Sequence, residues 1–367
     1  MSEIVVTERN DYEDYSSLRV SAVDENGNML SHGAFKYMDS GYGGGWIRSM
    51  LAGGIGTPVH LRRGGNVRKM FEKMHTDAVG EGAAVALLHP FSFAYYRKFG
   101  YEKVADHLIV RCPVRYIDFV PRVCNFVPYD EEKLPDLIKV YNTFAKGRNI
   151  LFRRFNDKYY KDPNKQIFIC YKDGEPVSYV IISGKKDFYV NHSINRLLTV
   201  HELCYTSPDA LREIFSFLRM FEGEYDDIEF ANIAMCPEAE LMLRNYTHTS
   251  YTIVPDIMAR VLNTEKMLLA NDYPTAEGEF TVRIEDSMES VCGTYKVSFG
   301  GGDCAVKRVD GGADLTLTAP AFARFIYGYD GVNAEIAKYM DGVQIDGNAE
   351  DFFRAFPKKP CGVFEHF

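Results

Sequence analysis

The chain has 367 residues, 46% of them apolar and 25% charged, with a formal net charge of −9. That length suits two or three domains of ordinary globular composition. The acidic balance argues against a general nucleic-acid binder and suits a cationic substrate, and no run of about 18 apolar residues offers a membrane span. The N-terminal stretch MSEIVVTERNDYEDY is acidic and lacks an apolar core, so no signal peptide is expected. The eight cysteines are spread out, with neither C-x-x-C nor His/Cys zinc spacing. They read as reduced, mostly buried thiols of a cytoplasmic protein without a metal site. Asn191-His192-Ser193 and Asn245-Tyr246-Thr247 fit the glycosylation pattern, which has no meaning in that compartment.

In chain order, Leu18–Val23 predicts a strand, 24–28 (DENGN) a hairpin turn and Met29–Tyr37 the return strand. Gly41-Tyr42-Gly43-Gly44-Gly45 predicts a flexible turn. It follows no clear strand and opens no helix, so it is not a dinucleotide fingerprint, and G-K-[ST] is missing too. Trp46–Ile55 reads as a buried strand. Arg62-Arg63-Gly64-Gly65-Asn66-Val67 then opens a helix whose Val67, Met70, Phe71, Met74 and Ala78 share one apolar face. Glycines and arginines at a helix start suit a pyrophosphate, because free N–H groups and the positive end of the dipole point there. Ala84–Leu88 is a short buried strand ended by His89-Pro90. Phe93–Tyr101 follows as one short helix stopped by Gly100. His107–Cys112 is a strand, and Pro113 and Pro121 mark an exit.

Residues 126–262 repeat this mixture of helix and strand. A helix between Pro135 and Gly147 buries Leu137, Val140, Tyr141 and Phe144. Asp173-Gly174 joins the strands Gln166–Tyr171 and Val177–Ile182. Arg196–Tyr205 and Ile228–Ile233 are strands, and Ser207-Pro208-Asp209 starts a helix burying Leu211, Ile214, Phe215 and Leu218. In 263–367, Phe280–Ile284, Thr294–Phe299, Cys304–Val309 and Asp314–Thr318 read as strands with glycine turns between them. Helices follow from Ala319 to Tyr327 and from Asn348 to Phe356.

The strand, the R-x-x-G turn, the helix, the next strand and then LHPFSFAYYRKFGYE resemble the GCN5-related N-acetyltransferases (GNAT), and within them the Eis (enhanced intracellular survival) branch. ADLTLTAPAFARFIYGYDG followed by VQIDGNAEDFFRAFP resembles a sterol-carrier-protein type 2-like domain, which Eis proteins carry at the C-terminus. The resemblance implies a mixed α+β protein of tandem GNAT domains. Residues 1–125 would be the coenzyme-binding domain, abbreviated because 1–35 hold no long helical stretch. Residues 126–262 would be a second GNAT-like domain without a coenzyme loop. Residues 263–367 would be the sterol-carrier-like α/β domain, not a lipid carrier in its main role, with a tail reaching the active site.

The activity implied is acetyl transfer from acetyl-CoA to a primary amine of a polyamine, an aminoglycoside or a lysine side chain. The coenzyme would lie between splayed strands Ile47–Ile55 and Val85–Leu88. Backbone groups of Ile55, Gly56 and Thr57 would hold its pantetheine arm, and Arg62, Arg63, Gly64, Gly65, Asn66 and Val67 its pyrophosphate. Tyr96 falls on the family's catalytic tyrosine and would protonate the leaving thiolate; Tyr95 reads as a packing aromatic. The family's base is the terminal carboxylate, here that of Phe367, with Glu365 and His366 as alternative bases. His89 reads as a strand-end residue. The resemblance also implies a homo-oligomer, a hexamer in the family. The competing reading is a non-catalytic small-molecule or lipid-binding protein, or a scaffold.

Overall fold

The computed structural model describes residues 2–118, 124–190, 193–365 and 367. Pro121 and the Asn191-His192 pair lie outside them. The first 105 residues supply strands β1 (Glu3–Asp11), β2 (Ser16–Val23), β3 (Met29–Tyr42), β4 (Gly45–Gly56), β5 (Val85–Leu88) and β6 (Glu102–Lys103), with helices α1 (Asn66–Gly80) and α2 (Phe93–Arg97). The middle supplies β7 (Asp106–Pro113), β8 (Asn125–Pro128), α3 (Leu134–Lys146), β9 (Gln166–Lys172), β10 (Glu175–Val190), β11 (Ser193–Tyr205), α4 (Pro208–Arg219), β12 (Asp227–Phe230) and β13 (Ser250–Pro255). The last stretch supplies β14 (Met258–Val261), α5 (Thr264–Leu269), β15 (Gly278–Glu285), β16 (Gly293–Gly300), β17 (Asp303–Arg308), β18 (Leu315–Thr318), α6 (Ala319–Tyr327), α7 (Ala334–Ala337), β19 (Val343–Ile345) and α8 (Glu350–Ala355).

Local chemistry explains most of these elements. Asp24 closes the β2–β3 turn by accepting from the amides of Asn26 and Asn28 at 2.9 and 2.8 Å. The glycine run forms a tight β3–β4 turn at Gly43 and Gly44 (φ 57° and 75°). A side chain at Gly43 would stand 1.9 Å from the Ala270 carbonyl oxygen, so that turn is packed. Asp173 and Gly174 (φ 53° and 84°) make the β9–β10 turn in the left-handed region that such hairpins favour. The Ser207 hydroxyl caps α4 by accepting from the Ala210 amide at 3.2 Å. Helix α3 buries the whole face expected of it, and α1 buries Met70, Phe71, Met74 and Ala78 with Val67 half-buried.

The chain forms three sheets, in the orders β1-β2-β3-β4-β5-β14-β6, β13-β7-β12-β11-β10-β9-β8 and β17-β16-β15-β18-β19. The first two share one plan. An antiparallel hairpin (β3–β4, β10–β11) leads through a helix (α1, α4) to a parallel neighbour (β5, β12). Each parallel neighbour then pairs antiparallel with a strand from far along the chain: β14 with β5, and β7 with β12.

Two compact units result. One holds Met1–Ala105, Asp256–Cys361 and the terminal Phe367; the other holds Asp106–Pro255 and Gly362–Glu365. The main divisions between these two units fall at 105/106 and 255/256. Strand patterning marks β7 and β14 as strands but carries no information on which sheet pairs them. Bonds from Val104 N to the Ile257 carbonyl (2.9 Å) and from Asp256 N to the Ala105 carbonyl (3.2 Å) fix the crossing inside the first unit. That unit also contains the third sheet, with α6 packed on β14, β6 and β18.

All eight cysteines are free thiols and six are buried. Among the described residues no helix is long and apolar enough to cross a membrane, and no group of three or more His, Cys, Asp or Glu is placed to hold a metal. The core under the first sheet centres on Phe71 of α1. Its ring meets Phe35, His75, Tyr96, Phe99 and Tyr101 at centroid distances of 5.0 to 6.2 Å. Phe71→Ala should therefore lower unfolding stability by about 3–5 kcal/mol in denaturant titration, the usual cost of emptying a buried phenylalanine site. A loss under about 1 kcal/mol would contradict this central role.

Candidate active site

The site begins where β4 and β5 part. They pair in parallel at Ser49↔Val85, Met50↔Ala86, Leu51↔Leu87 and Ala52↔Leu88, and there the ladder stops. Strand β4 runs on from Gly53 to Gly56. Along that run the β3 register shifts, with Ala34 opposite Gly53 and His32 opposite Gly56. Gly54 and Ile55 therefore bulge against Gly33, and Gly54 takes φ 57°. A Cβ on Gly33 would stand 2.7 Å from Ile55 Cδ1, so the missing side chain lets Ile55 fold inward. The β5-facing backbone of Gly53–Gly56 is left without a strand partner, an edge that an extended ligand can pair with.

The basic turn follows directly. The Thr57 hydroxyl lies 2.9 Å from that of Ser31, and the Thr57 carbonyl accepts from Arg62 Nε at 3.4 Å. Arg63 (φ 68°) and Gly65 (φ 76°) both adopt left-handed backbone, which turns the chain into α1. Gly65 is the N-cap residue and supplies no capping side chain, and no acidic residue stands in the first turn. The helix thus opens with unsatisfied amides. Arg62, Arg63, Gly64 and Gly65 are exposed, Val67 is half-buried and Asn66 is buried. A Cβ on Gly65 would meet nothing within 4 Å. Neither Arg62 nor Arg63 has an acidic partner among the described residues. This is a cationic, open cradle with the chemistry a diphosphate needs.

Helix α2 carries Tyr96. Ser92 caps it by accepting from the Tyr95 amide at 3.3 Å. At its other end Arg97 donates twice to the buried Glu102, each bond 2.8 Å. The Tyr96 ring is buried, edge-on to Phe71, Phe91, Tyr95 and Tyr101. Burial, and secondarily Tyr95, pushes the Tyr96 phenol up to about 12. It therefore stays protonated at neutral pH. Tyr95, half-buried among Phe91, Tyr96 and Phe99, fits its packing role.

The chain's end comes to the same opening. A Cβ on Gly53 would stand 2.9 Å from the terminal oxygen of Phe367. The Phe367 ring lies 4.6 Å from that of His89. Gly53 and His89 are the residues directly after the last β4–β5 pair, so the Phe367 backbone oxygen sits where the strands separate. His89 Nδ1 is in turn 2.8 Å from Asp256 Oδ1. No sequence spacing points to this pair, because its members are 167 residues apart; what was legible was only that His89 ends a strand.

Glu365 is held elsewhere. In the second unit its Oε1 accepts from Arg154 Nε at 2.7 Å, and Arg154 is 1% exposed and also paired with Glu202 at 2.7 and 2.8 Å. His366 lies outside the described residues.

Residues 6–104 match the family pattern of the acetyltransferase (GNAT) domain. Among solved structures, the chain is similar to a GCN5-related N-acetyltransferase from Anabaena variabilis ATCC 29413, with TM-score 0.81 and 16% identity over 95% of this chain and 89% of that one. It is similar to Eis1 from Mycobacterium abscessus, with TM-score 0.80 and 16% identity over 100% of both chains. It is also similar to a GCN5-related N-acetyltransferase from Kribbella flavida, with TM-score 0.76 and 14% identity over 95% of this chain and 88% of that one. Identities this low show a shared fold. No curated protein matches the chain. The chain carries a GNAT acetyltransferase domain, and its enzyme class is that of the N-acetyltransferases.

Arg62→Ala combined with Gly65→Asp should weaken acetyl-CoA binding strongly in calorimetry, since one positive charge goes and a negative one arrives at the helix start. Unchanged affinity would remove the 62–67 turn from the coenzyme site.

Proposed function

We propose that this protein transfers the acetyl group of acetyl-CoA directly to a primary amine of a small polyamine or aminoglycoside, or of a lysine side chain. The observation that carries the reading is the meeting of two features at one strand opening: an uncapped basic turn on one side and the terminal carboxylate on the other. Acetyl-CoA would extend along Ile55, Gly56 and Thr57, with its pyrophosphate at Arg62, Arg63, Gly64, Gly65, Asn66 and Val67.

A primary amine arrives mostly as ammonium, so it needs a base before it can attack. The Phe367 carboxylate attracts the cation and accepts its proton. The free amine forms a C–N bond to the thioester carbon as the C–S bond breaks. Tyr96 gives its phenolic proton to the departing thiolate. Glu365 is not the base in this scheme, because its carboxylate is committed to the Arg154 guanidinium, which engages it through two nitrogens.

We read the third sheet and its helices as a sterol-carrier-like domain in a structural role. Its interior is occupied by the rings of Tyr273, Phe280, Phe325, Phe352 and Phe356, which supports a filled core over a lipid cavity. Assembly into a homo-oligomer, a hexamer by resemblance, belongs to the same reading. The edge strand β13, exposed at every residue and free of charged side chains, supports it.

Tyr96→Phe should cut turnover by about 10²–10⁴-fold with acetyl-CoA affinity unchanged. Because the phenol is raised to about 12, wild-type turnover should show no Tyr96-linked falling limb at the ordinary phenol value near pH ~10. For stability the sign is the same. The unfolded chain ionises first, so the contribution of this group is whole below about pH 10 and is lost as pH rises toward 12.

Adding one residue after Phe367 would move the carboxylate by about 3.3–3.6 Å along the chain, beyond a hydrogen bond. A C-terminal tag should abolish or sharply reduce turnover while an N-terminal tag should not, and deleting Phe367 should act like the C-terminal tag. Full activity of the C-terminally tagged enzyme takes the carboxylate out of the mechanism.

A further inference from the structure

The transfer chemistry proposed above leaves His89 without a task, yet its surroundings are specific. Its Nδ1 lies 2.8 Å from Asp256 Oδ1, and the two side chains are only 18% and 12% exposed. A carboxylate at Nδ1 selects the tautomer protonated there and stops the ring from turning. The face so fixed meets the Phe367 ring at 4.6 Å with the planes tilted by 50°. Asp256 itself is held, since its amide donates to the Ala105 carbonyl at 3.2 Å. A chain end ordinarily frays; this one has a ring on one side and the Gly53 backbone on the other.

We propose that His89, oriented by Asp256, is a positioning residue that anchors Phe367 and thereby holds the terminal carboxylate against Gly53. The effect on turnover rests on the carboxylate reading above; the anchoring does not. Aromatic pairs of this kind contribute enough to change the free-tail population several-fold to about tenfold.

Carboxypeptidase A digestion of the full-length protein reads that population directly, as the rate at which free phenylalanine is released. His89→Ala should speed release several-fold to about tenfold at an unchanged melting midpoint, and Asp256→Ala should speed it less. His89→Phe keeps a ring in place and should restore slow release. Turnover of an amine should fall in His89→Ala with acetyl-CoA affinity unchanged, and should fall no further when His89→Ala is added to a chain lacking Phe367.

Equal release rates in wild type and His89→Ala would overturn the proposal. So would acceleration only alongside a lowered midpoint, fast release in His89→Phe, or an additive loss in the double variant. Should His89→Ala fail to fold, Asp256→Ala carries the same comparison, with wild-type release overturning the proposal. If the chain lacking Phe367 keeps full turnover while His89→Ala still speeds release, the carboxylate reading fails and the anchor stands.

Discussion

A parallel ladder that stops after Ala52 and Leu88 is the constraint on which the site depends. Parallel pairing needs both backbones in step, and the bulge at Gly54 and Ile55 takes β4 out of step. Three of the four residues beyond the last pair are glycine: Gly53, Gly54 and Gly56. Each has its own reason. Gly54 takes φ 57°, which strains any other residue. A Cβ on Gly56 would run into the His32 ring. A Cβ on Gly53 would press on the terminal oxygen of Phe367. The opening is thus built by absent side chains, and the basic turn of Arg62–Gly65 is simply the next chain to leave it.

The second sheet shows what the same plan looks like without those features. Its hairpin, helix and parallel neighbour repeat the first, yet α4 begins at Thr206-Ser207-Pro208. There the Ser207 hydroxyl takes up the Ala210 amide, and proline brings no N–H. The helix start is closed by its own chain, where that of α1 is open. Two copies of one topology therefore differ in the single property that matters for an anionic ligand. That difference is stated in the residue types of six positions, not in the fold.

What was legible in the sequence follows the same division between local and distant. The face of α1, the Pro135 and Gly147 bounds of α3, the cap of α4, the Asp173-Gly174 hairpin and the Arg62–Gly65 turn are written in neighbouring residues. Tyr96 and Phe367 enter the proposed site through resemblance, not through any local pattern. The exchange of β7 and β14 between sheets was not legible, because a short buried strand reads alike whichever ladder receives it. Nor was the His89–Asp256 pair, whose partner arrives from the far side of that exchange. β1 has an almost wholly exposed or half-exposed pattern, so no alternation announced it, and β19 has only three residues.

The fate of Glu365 shows how burial divides carboxylates that look equivalent in the tail. Arg154 is almost fully enclosed and faces two carboxylates, Glu202 and Glu365, with the rings of Tyr141 and Tyr160 stacked near its guanidinium at 3.7 and 5.2 Å. Replacing Arg154 would leave two buried carboxylates, Glu202 and Glu365, without their cation, which is the costly case for an interior ion pair. A carboxylate in that position is committed to structure, and protonating it would break the pairing that holds it. The neighbouring tail is held in the same unit by the Val363 carbonyl on Asn232 (2.9 Å) and by Phe364 beside Phe144. Phe367 has the opposite circumstances: its carboxylate lies along backbone at Gly53, and its ring carries the contact with His89. Glu365 is therefore placed to hold the tail, and of the two it is Phe367 that meets the opening between β4 and β5.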